Sequence, residues 1–136
     1  MTKIKHLSVG VIDPKRAAEC LANLSEGTIE PFHPVEEAYV CLWGGWEGEF
    51  VEFYPKQVHL RPTSQGAEFD ETLAKVPDYA ATHINLDVDL TGDEVIAIAK
   101  EYEFQHHFRP SHGGPLHEVW IENELLVELV TKDLRR

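Results

Sequence analysis

Along residues 3 to 11, KIKHLSVGV, the side chains alternate, with Leu7, Val9 and Val11 on one face of an extended chain and Ile4, His6 and Ser8 on the other. The period then changes. Asp13 can cap a helix with Pro14 in its first turn, and PKRAAECLANLSE sets Ala17, Leu21 and Leu24 along one stripe before Gly27 ends it. Three strand-like segments follow, GTIEPFH, AYVCLWG and EFVEFYP, with Pro34 and the pair Gly44 and Gly45 supplying turns. The predicted unit is βαβββ.

From Pro55 to about Ala80, the turn formers Pro55, Pro62, Gly66 and Pro77 separate short apolar groups such as VHL and TLAKV, which predicts a connector with at most one local element. Alternation resumes at ATHINLDVD, with Ile84, Leu86 and Val88 on one face and His83, Asn85 and Asp87 on the other. Thr91 followed by Glu94 is a capping-box pattern, and DEVIAIAKEY continues as a helix with Val95, Ile98 and Ala99 on one side. FQHHFRP, LHEVWIE and ELLVELVTK read as three more strands, the first two separated by the turn SHGGP. The order βαβββ has returned, so residues 1–136 are expected to form one α+β domain of module 1 (1–55), connector (56–80) and module 2 (81–136).

The repeat carries chemistry. His6 and His83 are 77 residues apart, as are Trp43 and Trp120, while Glu52 in FVEFY and Glu128 in LVELV are 76 apart, after a connection read as one residue shorter in the second half. A single glutamate or histidine on a strand is ordinarily a solvated residue on the wet face of an antiparallel sheet. That does not explain the same residue types recurring at equivalent positions. Two βαβββ modules related by a pseudo-twofold axis, with helices outside a concave mixed sheet, would turn His6, His83, Glu52 and Glu128 towards a common concavity. Burying two carboxylates together without a counter-charge costs several kcal/mol. A divalent cation removes that cost, and two imidazoles with two carboxylates suit Zn, Ni, Co, Mn or Fe(II) rather than Ca or Mg.

Composition narrows the partners. Twenty-four acidic against twelve basic residues give a formal charge of −12, which repels nucleic acid and anionic membrane surfaces. No apolar run approaches the roughly 18 to 20 residues that cross a bilayer, and Lys5 and His6 break the apolar character of the N-terminal segment. A cytoplasmic protein without a cleaved signal is expected. Cys20 and Cys41 form no CxxC and fall on different predicted elements, so reduced thiols are expected.

The paired βαβββ units with His6, Glu52, His83 and Glu128 resemble the vicinal oxygen chelate superfamily, which includes glyoxalase I, methylmalonyl-CoA epimerase, extradiol dioxygenases, fosfomycin resistance proteins and the bleomycin resistance proteins. The resemblance implies one divalent metal held by those four residues and binding adjacent substrate oxygens. A fourth-strand carboxylate in both halves looks more like the glyoxalase and epimerase branch, whose members move a proton next to a carbonyl while the metal stabilises an enediolate. On that likeness Glu128 is the first candidate for general base and Glu52 the second, in a metal-dependent isomerase or lyase acting on a small oxygenated carbonyl compound. A ligand-sequestering protein of the bleomycin-resistance type and an Fe(II) extradiol dioxygenase are the alternatives, and the resemblance also allows a homodimer. The chain departs from the family where CLANLSEG replaces the common FYxxxLG, and it shows no counterpart of the glutathione-binding residues of glyoxalase I.

Other positions are expected to line the pocket. Tyr39, Cys41 and Trp43 share one face of the third strand, and Glu118 and Trp120 one face of the seventh; simple core packing is the competing reading for the tryptophans. Arg109, on the same side as His107, could bind an anionic substrate group or face solvent. A second metal site among His106, His107, His112 and His117 is not expected, because adjacent His106 and His107 on a strand point to opposite faces.

Overall fold

The computed structural model describes residues 4–70, 82–111 and 113–135; the TLAKV group of the connector and His112 lie outside them. The chain divides into two compact units, one made of Met1–Glu19 and Thr28–Asp78, the other of Cys20–Gly27 and Tyr79–Arg136.

In the first unit, β1 (His6–Val11), β2 (Thr28–Pro31), β3 (Tyr39–Trp43) and β4 (Glu49–Pro55) form a four-stranded sheet in the order β1-β4-β3-β2. β1 runs parallel to β4 and the other pairs are antiparallel. Helix α1 (Pro14–Ser25) follows β1. The Asp13 side chain accepts a hydrogen bond from the Arg16 amide at 3.1 Å, so the predicted cap is present. The helix ends where Glu26 turns left-handed at φ 56°.

The connector holds more order than its turn formers suggest. β5 (His59–Thr63) and β6 (Gly66–Asp70) pair as an antiparallel hairpin, with Gly66 at φ 110° opening β6 directly after the turn.

The second unit repeats the first. β7 (Ile84–Asp87), β8 (Gln105–Arg109), β9 (Leu116–Ile121) and β10 (Leu125–Val130) take the order β7-β10-β9-β8, again with the first strand parallel to the last. Helix α2 (Gly92–Glu101) starts at the predicted capping box: the Thr91 side chain accepts from the Glu94 amide and the Glu94 carboxylate accepts from the Thr91 amide. The last turns of α1 belong to this unit, where the Asn23 amide donates to the Tyr102 hydroxyl at 2.8 Å.

Ala17, Ala18, Leu21 and Leu24 of α1 are fully buried, as are Phe53, Val119, Val127 and Leu129 of the sheets. Full burial of a Leu, Val or Phe side chain stabilises the fold by roughly 1.5–3 kcal/mol. Cys20 and Cys41 are buried and form no disulfide. No helix among the described residues is long and apolar enough to cross a membrane.

Strand register corrects one sequence expectation. Glu52 pairs with Val40 and Glu128 with Glu118, so β3 and β9 correspond at an offset of 78, while β4 and β10 correspond at 76. The connection is therefore two residues shorter in the second half, not one. Between β3 and β4 the chain makes a short 3-10 turn, Gly45–Glu47, entered through Gly44 at φ 81°; between β9 and β10 it turns through Glu122 and Asn123 at φ 56° and 60°. Trp120 consequently matches Leu42. The spacing of 77 between Trp43 and Trp120 reflects no structural equivalence.

Candidate functional site

Each unit buries one glutamate in the middle of its last strand. Glu52 is 5% and Glu128 9% exposed, the two carboxylates among the few polar side chains buried in the described residues. Both are placed by the parallel pairing of the first and last strands, which sets Ser8 beside Glu52 and Asn85 beside Glu128. Side chains at laterally paired positions share a face, and the histidine two residues earlier shares it too.

In the first unit Glu52 Oε1 accepts hydrogen bonds from Ser8 Oγ at 2.6 Å and Tyr54 Oη at 2.9 Å, and His6 Nε2 lies 3.4 Å from it. Burial pushes the Tyr54 phenol up to about 12; the hydrogen bond with Ser8 opposes this, and the bond to Glu52 and its charge reinforce it. Tyr54 is thus a proton donor to Glu52 throughout the neutral range.

The second unit is built alike around different donors. Glu128 Oε1 accepts from Asn85 Nδ2 at 3.2 Å, and His83 Nε2 lies 3.6 Å from it. Glu128 Oε2 accepts from Arg109 Nη2, and Arg109 Nε pairs with Glu118 at 2.9 Å. Burial pushes the Glu128 carboxyl up, but hydrogen bonds from Arg109 and Asn85 and the nearby positive charges outweigh it, and the group lies below the usual carboxylate value. Trp120 Nε1 donates to Glu118 Oε1 at 3.1 Å. Gln105, His107, Glu118, Trp120 and Asn123 line an open pocket on this unit.

The four predicted ligands therefore come together as two His–Glu pairs. Among the described residues, no cluster of three or more His, Cys, Asp or Glu could hold an ion by itself. The separations within the pairs nevertheless suit shared coordination, since two donors about 2.1 Å from one tetrahedral ion stand roughly 3.4 Å apart. The hydrogen bonds from Ser8, Tyr54 and Asn85 supply the outer support that orients ligating carboxylates.

The other predicted residues divide. Trp120 and Arg109 share the face of Glu128. Tyr39 and Trp43 do not share that of Glu52: their strand partners, Phe53 and Glu49, alternate with it, so both side chains lie on the opposite side of the sheet. Arg109, expected to meet an anionic substrate group or solvent, is instead held between Glu118 and Glu128. His106 and His107 pair with Val119 and Glu118 and point to opposite faces as expected. Glu118, expected beside Trp120 on the pocket face, is there and pairs with Arg109, whereas Ser8, Tyr54 and Asn85 were not singled out from sequence. Ser8 and Asn85 were accessible there, each two residues after a repeated histidine at the same spacing of 77.

No protein-family model matches the sequence, and no curated protein matches it. Solved structures do. The fosfomycin resistance protein FosX from Mesorhizobium loti is similar with a TM-score of 0.61 at 15% identity, over 96% of this chain and 92% of that one. FosX from Listeria monocytogenes, complexed with Mn(II) and sulfate ion, gives 0.62 at 14% identity, covering 96% and 90%. A possible glyoxalase from Bacillus cereus gives 0.56 at 16% identity, covering 96% and 99%. At these identities the likeness establishes the fold, and the chemistry rests on the residues.

Proposed function

The chain has the fold of the vicinal oxygen chelate superfamily, and from that premise we propose that it is a metal-dependent isomerase or lyase of the glyoxalase and epimerase type. Its substrate is a small oxygenated carbonyl compound. The observation that carries this reading is the repeated His–Glu pair, 3.4 Å apart in one unit and 3.6 Å in the other, each carboxylate buried and held by hydrogen-bond donors. Solved structures of this fold include one complexed with Mn(II), which supports a divalent transition ion.

The proposed ligands are His6, Glu52, His83 and Glu128, drawn from one chain or from two copies in a homodimer. When bound, the ion supplies Lewis-acid polarisation of a carbonyl oxygen, which acidifies the adjacent C–H. Glu128 is the first candidate to take that proton, and Glu52 the second. Arg109 keeps Glu128 deprotonated and oriented, and Asn85 fixes its other oxygen. Ser8 and Tyr54 together hold Glu52.

Elemental analysis of the purified protein tests this directly. Near-stoichiometric divalent metal in the wild type and its loss in His83→Ala are expected; metal-free protein that takes up none on dialysis would overturn the reading. Glu128→Gln is expected to lower turnover at least 100-fold while the fold persists by circular dichroism. Tyr39 and Trp43, two of the aromatic residues expected to line the pocket, lie across the sheet from Glu52, so they lend no support to the ligand-sequestering alternative.

A further inference from the structure

The side of the first unit's sheet that carries Glu52 also carries a continuous row of aromatic rings. The His6 imidazole stacks on Phe50, centroids 5.0 Å apart and 13° between planes, and Phe50 meets Trp46 edge-on at 5.5 Å. Trp46 reaches Phe32 at 6.4 Å, Phe32 reaches Tyr54 at 5.9 Å, and Tyr54 meets Phe69 of the β5–β6 hairpin edge-on at 5.5 Å. The row starts on one partner of the carboxylate and passes through another. His6 lies against Glu52 at one end, and Tyr54 donates to Glu52 near the other.

Packing alone accounts for part of the row. Tyr54 belongs to a small buried cluster with Val35, Ala38 and Val58, against which Phe32 packs. It does not account for Trp46 and Phe69, which stay 44% and 37% exposed beside these rings. Large apolar surface left open next to a polar centre is characteristic of a ligand site. The charged residues on this face of the four strands are Glu30 and Glu52, with His6 and Tyr54 as the other titratable groups; no Lys or Arg shares it. The Glu128 face of the second unit differs, since there Arg109 and Glu118 surround the carboxylate.

We infer that the first unit binds the aromatic ring of an aryl-substituted substrate, seated against Trp46 and Phe50 while the oxygenated end lies at the His6–Glu52 pair. This rests on the metal-dependent reading above and adds the substrate class to it. Aromatic contacts of this geometry are worth about a tenfold preference in affinity for one ring.

Two hydroxamates separate the inference from its premise, because both chelate a metal through adjacent oxygens and only one carries a ring. Titration calorimetry of Mn(II)-loaded protein is expected to show benzohydroxamate binding about tenfold more tightly than acetohydroxamate. Trp46→Ala should cut that preference to about twofold or less and leave the acetohydroxamate affinity unchanged, and Trp46→Phe should keep most of it. Equal affinity for the two hydroxamates, or a preference that survives in Trp46→Ala, would overturn the aromatic site while the metal reading stands. Protein that binds no Mn(II) and neither hydroxamate would overturn the metal reading and this inference with it.

Discussion

Tyr54 and Arg109 show how single side chains set the behaviour of the two buried carboxylates. Because the Tyr54 phenol rises to about 12 in the folded protein against an ordinary value of 10, the folded chain keeps a proton that the unfolded chain releases between these values. Stability from this group is complete below pH 10 and is lost as pH rises towards 12. Denaturant melts across that range should show the decline in the wild type and a shallower one in Tyr54→Phe. The sign is opposite for Glu128, whose carboxyl is held below its ordinary value. Its contribution is present above about pH 4.5 and disappears as pH falls below it. Arg109→Gln should weaken this acid dependence and lower the midpoint of denaturant melts at neutral pH, because Glu118 and Glu128 then lose their charge-assisted hydrogen bonds to Arg109.

At the scale of elements, hydrophobic period and capping chemistry made most of the fold legible. The alternation in KIKHLSVGV and ATHINLDVD corresponds to β1 and β7, and Asp13 and the Thr91–Glu94 box mark the helix starts where the structure has them. Thr91→Ala should cost about 1 kcal/mol by chemical denaturation, the usual value of an N-cap. The β5–β6 hairpin was less visible, since Pro62 and Gly66 read as breaks although both sit in paired strands. Register was the real loss. Sequence spacing counts residues through a loop, whereas strand pairing ignores loop length, and so Trp43 and Trp120 looked equivalent while lying on non-matching faces. The turn after β3 also has a steric requirement: a Cβ on Gly48 would stand 1.9 Å from the Trp43 carbonyl oxygen. Gly48→Ala should therefore destabilise by about 2–4 kcal/mol in denaturant melts, and in doing so displace Trp46.

For the whole molecule, a formal charge of −12 and two buried carboxylates mean that cation binding should couple to stability. With Mn(II) at about 100 times its dissociation constant, unfolding should become harder by about 2.7 kcal/mol, and EDTA should reverse the gain. Thermal melts with and without each reagent check this. A stability unmoved by either would mean that no ion binds the folded state preferentially. The site itself was half legible. The recurrence of His and Glu exposed the two pairs, because residue type and spacing survive in a repeat. The pairing of Ser8 with Glu52 and of Asn85 with Glu128, the bridge of Arg109 to Glu118 and Glu128, and the aromatic row were hidden, since they depend on which strands lie side by side and which faces the pleat selects.

The two hairpin tips, GGWEG after β3 and ENE after β9, carry a consequence for how a doubled protein diverges. Strand pairing on either side holds each glutamate in place, so the tip is a position where one copy can gain residues without disturbing the other or itself. Trp46 sits in that added length. A graft that exchanges the tips between the copies would therefore move the aromatic group as a cassette, and duplicated halves of this kind can acquire separate tastes in ligand while inheriting one common frame.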